Sequence, residues 1–453
     1  MTALPITPKD LDRYEVENVF HSWSFQPTVS PKRVVSAHGC RFTDETGRDY
    51  LDFSSCFVNV NIGHQHPRVV DGICKQARKL CSFAPTFSTE PRAVLAAMLA
   101  NITPGDLSRT FFSLGGTEAN EAAVKICHQY TGRHKIIGRY RSYHGGTAAA
   151  MSLSAGDPRP WSQPTAAVRT LAVPPPYCYR CMHGQTYPDC NLRCLKFVDE
   201  IIELEGGGDQ VAGIIVEPII GANGIIVPPP EYFPEMRRMC DKWGILLLAD
   251  EVMTGFGRTG KWFALDHWDV VPDILSLSKG LTAGYVPLGA TVVRTDIGNY
   301  FRDHFFGHGA TYMGHALACA AAIEVLNLYE EENLIDNSAT LGKYLLERSR
   351  ELQDRHPCIG DVRGLGLFVG LELVRNRRTR EPLVPVAGRV CKEGNPKTEV
   401  GAELVNLGMI AMAANPSNVI AMAPPLCATK SDIDEGIAIM DRALRKADAC
   451  VEA

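Results

Sequence analysis

The sequence predicts an α/β protein, with a mostly parallel sheet and helical crossovers in a large domain and a smaller α/β domain beside it. Three observations carry that expectation. Short apolar runs of strand length alternate with helical segments through the middle of the chain. The 453 residues exceed what one simple core accommodates. After Leu373 the texture turns polar, in RNRRTREPLVP and CKEGNPKTEV, before a helical GAELVNLG, an apolar VIAMAPPL and a closing amphipathic helix from Lys430. The expected division is 1–62 as an N-terminal segment joining the small domain, 63–330 as the large domain and 331–453 as the small one.

The elements follow in order. TFFSL reads as a strand that turns through Gly115 and Gly116 into a helix beginning near Thr117. Glycines admit close approach of a ligand to the backbone, and the helix N-terminus offers free N–H groups and a favourable dipole for an anion. KIIGRY and VAGIIVEP are further strands. EYFPEMRRMCDKWG is a helix with Phe233, Met236, Cys240 and Trp243 on one face and Gly244 as its C-terminal cap. GILLLADE ends an apolar strand on Asp250 and Glu251, and DILSLSKG ends the next on Lys279. In such a sheet ligands gather at the carboxyl ends of the strands.

Composition excludes several classes. A net charge of −5 without a basic run does not favour nucleic acid or an anionic membrane as partner. The opening MTALPITPKDLDRYEVENVF has no signal-like apolar core, and no stretch approaches a membrane span, so a cytoplasmic protein is expected. Most of the fifteen cysteines, such as Cys74, Cys127, Cys240 and Cys319, lie in helix-like apolar stretches and suit a reducing compartment. Cys178, Cys181, Cys190 and Cys194 differ: their C-x2-C-x8-C-x3-C spacing in a Pro-rich loop allows a structural zinc site or a loop of free thiols. GFGRTG matches a dinucleotide-binding pattern in letters only, because it leads into KWFALDHW and not into a small-residue helix.

Asp250 and Lys279 raise one question. A carboxylate and an ammonium at adjacent strand ends form an ion pair or grip opposite sides of one ligand. A lysine that loses hydration gains nucleophilicity toward a carbonyl. A ligand with an aldehyde for the lysine and a basic ring nitrogen for the aspartate satisfies both, and pyridoxal 5'-phosphate is that ligand.

YLDFSSCFVNVNIGHQHP, GGTEANEAAVK, YHGG, VEPIIGANG, LLLADEVMTGFGRTG, LSLSKG, HGATYMGHALACAAA and DVRGLGLFVGLEL, in this order, resemble the class III pyridoxal phosphate-dependent aminotransferases over nearly the whole chain. The resemblance implies the fold-type I aminotransferase architecture and a homodimer with shared active sites. It implies that Lys279 forms the internal aldimine and moves a proton, and that Asp250 holds the ring nitrogen. Gly116 and Thr117 would cradle the phosphate, completed by Thr311 from the partner subunit. Tyr143, beside His144, would stack on one ring face and Val252 on the other. Met253 stands where many members carry glutamine, and Gly314-His315-Ala316 departs from the usual Gly-Asn-Pro. Arg363 would grip the oxo-acid carboxylate, paired with Glu217 when no carboxylate is bound.

Relatives that act on 4-aminobutyrate or acetylornithine carry arginine directly after YHG, where this chain has Gly146. The expected donor is therefore another terminal amine, taurine or β-alanine, with pyruvate or 2-oxoglutarate as acceptor. Trp23 and Phe25, with Cys56 and Phe57, are expected to line its pocket. The general look is closest to transaminases of taurine and ω-amino acids. The alternative is a pyridoxal phosphate lyase acting on an amino alcohol phosphate.

Overall fold

The computed structural model describes residues 6–24, 26–30, 32–155, 169–384, 395–413 and 417–452, and fifteen strands lie among these described residues. Near the N-terminus lie β1 (Val34–His38), β2 (Arg41–Asp44) and β3 (Asp49–Asp52). The middle contributes β4 (Leu107–Ser113), β5 (Lys135–Arg139), β6 (Arg169–Val173), β7 (Val211–Val216), β8 (Leu246–Asp250), β9 (Ile274–Leu277) and β10 (Gly289–Arg294). The last stretch contributes β11 (Ile359–Gly364), β12 (Val369–Asn376), β13 (Glu381–Pro382), β14 (Met409–Ile410) and β15 (Val419–Met422).

The middle strands form one sheet in the order β4-β10-β9-β8-β7-β5-β6. Pairings from β9 through β8, β7 and β5 to β6 are parallel, and β10 alone runs against its neighbours β4 and β9. Side chains on both faces are buried, as Ile136, Ile137, Ile214, Ile215, Leu247 and Leu248 show, which explains why these strands read as unbroken apolar runs. The helix Tyr232–Trp243 buries Phe233, Met236 and Cys240 and ends on Gly244 in the left-handed conformation (φ +59°), as its sequence requires.

Two smaller sheets flank this layer. In one, β3 pairs in parallel with β14, so residues near 50 and near 410 share a sheet. In the other, β12 is antiparallel to β11, β13 and β15. Arg258 of GFGRTG joins all three regions. Its buried guanidinium donates to the Leu367 carbonyl at 3.0 Å, the Pro424 carbonyl at 2.6 Å, Asn61 Oδ1 at 2.9 Å and Ser55 Oγ at 3.3 Å. Burial draws its pKa down to about 10. The motif is thus a junction between segments, followed by the short 3-10 turn Ala264–His267 and not by an α-helix. Cys127, Cys240 and Cys319 are buried as expected, whereas Cys74 is exposed. No helix among the described residues is long and apolar enough to cross a membrane.

Candidate active site

The carboxyl ends of β4, β5, β7, β8 and β9 lie along one edge of the large sheet, which brings distant sequence motifs together. Asp250 is the last residue of β8 and pairs across with Ser276 of β9, so Lys279 emerges three residues beyond that rung. Lys279 has φ +44°, unusual for a side chain other than glycine. It sits in a short 3-10 turn whose entry is fixed by Ser278, whose hydroxyl donates to the Leu288 carbonyl at 2.8 Å.

Asp250 is buried, and its two oxygens have different company. Oδ2 accepts from Asn120 Nδ2 at 2.7 Å and lies 2.7 Å from His144 Nδ1. A carboxylate only accepts, so Nδ1 is the protonated ring nitrogen. Oδ1 accepts only the Val252 amide, at 3.1 Å, among the described residues. His144 Nε2 and Asn120 Oδ1 are buried without a hydrogen-bond partner there. Asn120 also donates to the His144 carbonyl at 2.9 Å, which locks the imidazole's own backbone to the carboxylate it serves.

The anion cradle is the start of the helix Gly116–Thr131, where the first intrahelical amide bond belongs to Ala119. A Cβ on Gly116 would lie 2.7 Å from Val252 Cγ1, so only glycine lets Val252 close against this turn. Gly145 of YHGG has φ +140°, and a Cβ there would meet Thr117 Oγ1 at 2.5 Å. The YHGG loop therefore lies directly on the cradle. Asn120 stands one helical turn beyond Gly116 and so faces the same side, a spacing present in GGTEAN that sequence reasoning passed over.

Tyr143 is half-buried, and its amide donates to Glu217 Oε1 at 3.0 Å. Glu217 Oε2 accepts the Gly221 amide at 2.9 Å. Burial raises the Glu217 pKa; His144 opposes that rise and Asp250 adds to it. Met253 is buried, with its sulfur packed over Gly221. Trp23 meets Phe57 edge-on at 5.9 Å and Tyr143 at 6.3 Å, so the expected donor-pocket aromatics reach the expected ring-stacking residue. Phe25 lies outside the described residues. Thr311 is exposed in the loop before the helix Ala316–Glu331.

The expected pairing of Arg363 with Glu217 is corrected by the structure. Arg363 Nη1 pairs with Asp361 at 2.6 Å and with Glu372 at 2.7 Å, and Nε donates to the Gly224 and Ile225 carbonyls, each at 3.0 Å. Burial alone would lower its pKa; Tyr177, Glu372 and Asp361 outweigh burial and hold it above the usual value. Arg180 shares Glu372, which Tyr177 also reaches through its hydroxyl. A neighbouring acid on β12, Glu372, thus does what Glu217 was expected to do, because β11 and β12 are antiparallel neighbours. Both Arg363 and Arg141 lie over the Tyr177 ring, at 5.1 Å and 4.9 Å from its centre. Arg141 makes no ion pair with a described residue; its Nη1 reaches only the Asn223 carbonyl, at 3.3 Å. Arg139 is fully buried and donates to the Glu217 carbonyl.

Of the four loop cysteines, Cys178 begins a 3-10 turn and Cys194 lies in the first turn of the helix Arg193–Leu204. Burial and the neighbouring thiols raise the Cys178 pKa and push Cys194 up to about 11. No three of these sulfurs come within 4.8 Å of one another; among the described residues that condition is met by Asp52, Cys56 and His64.

These residues fit pyridoxal phosphate. Open amides at a glycine-lined helix start suit its phosphate, and the uncommitted Asp250 Oδ1 suits a ring N–H. Comparison with known proteins agrees. The family model described as Aminotransferase class-III matches residues 25–444. A taurine:2-oxoglutarate aminotransferase from Bifidobacterium kashiwanohense, solved with PLP and glutamate, superposes with a TM-score of 0.93 at 36% identity, covering 99% of this chain and 100% of that one. Taurine–pyruvate aminotransferase of Bilophila wadsworthia is 35% identical over 94% of each chain. Leucine/methionine racemase of Thermococcus litoralis is 36% identical over 92% of this chain and 91% of the relative.

Proposed function

Because the chain belongs to the class III aminotransferases, which use pyridoxal phosphate, we propose that it transfers the terminal amine of taurine or β-alanine to pyruvate or 2-oxoglutarate. The observation that carries the catalytic part is the buried Asp250–His144–Asn120 cluster one strand away from Lys279. When bound, the cofactor supplies an electron sink for the pair left behind as a proton departs the amine-bearing carbon. Lys279 removes that proton and returns it. Asp250, held by two donors on Oδ2, keeps a negative oxygen opposite the ring nitrogen and so holds that nitrogen protonated. Gly116 and Thr117 would hold the phosphate, and Tyr143 and Val252 would contact the ring.

The donor reading is supported by the taurine relatives and by Gly146, whose missing side chain faces open space. A Cβ at this position would meet nothing within 4 Å, so crowding at the backbone does not require glycine there. With Arg363 committed to Asp361 and Glu372, we place the acid group of the substrate at Arg141, which also lies over the Tyr177 ring. The working unit is read as a homodimer, with Thr311 completing the partner's cradle. None of the relatives named above is a lyase. The racemase favours one second reading, interconversion of α-amino acid enantiomers, which needs no oxo acid.

A panel of taurine, β-alanine, 4-aminobutyrate, acetylornithine, simple amines and L-leucine, each with pyruvate, with 2-oxoglutarate and with neither, tests this. Taurine or β-alanine should turn over only with an oxo acid, and Lys279→Ala should abolish turnover while keeping the fold. A wide preference for 4-aminobutyrate or acetylornithine overturns the inference from Gly146. Leucine racemisation without oxo acid, with no taurine turnover, establishes the second reading.

A further inference from the structure

The turn after Asp52 is bent against the preference of its own residues. Ser55, Cys56, Phe57 and Val58 have φ of +44°, +47°, +65° and +61°, four consecutive side-chain-bearing residues in the left-handed region. For a side-chain-bearing residue that region is unfavourable, because Cβ crowds the following carbonyl oxygen. The surroundings enforce the shape: the Val58 amide donates to the Ser54 carbonyl at 2.7 Å, the Asn59 amide to the Ser55 carbonyl at 2.8 Å, and the Ser55 hydroxyl to the Ala423 carbonyl at 2.6 Å. Strain so firmly held concentrates where a site needs a particular side-chain direction.

Its consequence is the position of Cys56. The thiol lies 3.7 Å from Asp52 Oδ2, and His64 Nε2 lies 2.9 Å from the same oxygen. The three ligand atoms all fall within 4.8 Å of one another. Zinc bonds of about 2.0–2.3 Å in a tetrahedral site place donors about 3.3–3.7 Å apart. The thiol and carboxylate already stand at that spacing, the imidazole stands 2.9 Å from the carboxylate and within 4.8 Å of the thiol, and a side-chain adjustment of the imidazole completes the geometry. The other carboxylate oxygen, Oδ1, accepts the Ser54 amide at 2.9 Å and the Ser54 hydroxyl at 2.8 Å, which aims Oδ2 at the centre of the trio. Asp52 is fully buried, whereas the His64 side chain is 14% exposed and opens a way in. Thiolate, imidazole and carboxylate together select zinc over magnesium or calcium.

We propose that Asp52, Cys56 and His64 form a zinc site with three protein ligands and an open fourth position, and that filling it inhibits the enzyme. Binding displaces the thiol proton to solvent, and His64 binds as the neutral tautomer that carries its proton on Nδ1 and offers Nε2 to the ion. The ion is then balanced by the carboxylate, the thiolate and a neutral imidazole. Inhibition follows from what the turn carries: the residue after Cys56 is Phe57, whose ring leads through Trp23 to Tyr143. Fixing Cys56 fixes the aromatic path that substrate must move to enter. Zinc uptake does not depend on which amine is the donor.

The test titrates holoenzyme with zinc chloride against a chromophoric chelator and follows transamination with and without EDTA. Wild type should take up one more zinc per chain than Cys56→Ser, and its rate should fall at least tenfold and recover with EDTA. Cys56→Ser and His64→Gln, each compared with its own zinc-free rate, should need at least ten times more zinc for the same fractional loss. A Cys178→Ser/Cys181→Ser double variant should respond as wild type. Equal uptake and inhibition in wild type and Cys56→Ser, uptake without loss of rate, or a response lost only in the Cys178/Cys181 variant overturns the proposal.

Discussion

At the scale of single residues, two buried charges make opposite predictions. Arg363 neutralises the buried Glu372 and the partly exposed Asp361, so Arg363→Ala leaves Glu372 with Arg180 as its remaining cation. A loss of about 3–5 kcal/mol in stability is expected, measured by denaturant unfolding, larger than any specific loss in acceptor KM. Glu251 is the reverse case. Burial pushes its carboxyl up to about 7, against the hydroxyl of Thr254 and the amides of Leu265 and Ala264. Its unfolded pKa is about 4.3, so the folded chain binds this proton more tightly. The resulting stabilisation is full below that value and is lost as pH rises toward 7, on the order of 3 kcal/mol. Glu251→Gln should therefore gain on wild type in Tm between pH 5 and 7.5, and parallel Tm–pH curves would refute this. Lys279 and Asp250 could be anticipated from the sequence because each ends an apolar run. Glu372 could not: its bond to Arg363 depends on the register of β11 against β12, which no local pattern encodes.

At the scale of elements, β10 shows how a strand serves a site it does not supply. Gly289 begins it opposite Ser113, and a Cβ there would come within 2.4 Å of both the Gly115 carbonyl and Ser113 Oγ. Gly289→Ala should press on the turn that forms the phosphate cradle. The expected result is weaker retention of pyridoxal phosphate on dialysis, by about tenfold, with little change in the circular dichroism of the folded enzyme. Neither β10 nor β6 was anticipated. GATVVR opens on glycine and carries a threonine, and RTLAV opens on arginine and threonine, so neither has the unbroken apolar signature of β7 and β8. The left-handed turn at Ser55–Val58 was equally hidden, because SCFV contains no glycine to announce a positive φ.

At the scale of the whole molecule, one aromatic patch is conspicuous. Phe83, Phe87 and Tyr312 are 55%, 58% and 57% exposed on this chain. They come from neighbouring segments, since the Leu317 amide donates to the Cys81 carbonyl at 3.2 Å and Arg92 donates to the Pro85 carbonyl at 2.9 Å. Such a patch beside Thr311 is what the proposed dimer would cover. Phe87→Asp should shift sedimentation from dimer to monomer and reduce activity with it; an active monomer would separate the site from the interface. The pairing of β3 with β14 has a consequence for how the chain is made. Asp52 leaves the ribosome some 350 residues before Ile410, its partner across that sheet. At roughly 5–20 residues per second the wait is about 20–70 s. Through that interval the outer edge of β3 stays open, and the nascent protein must be shielded until almost its entire length has been translated.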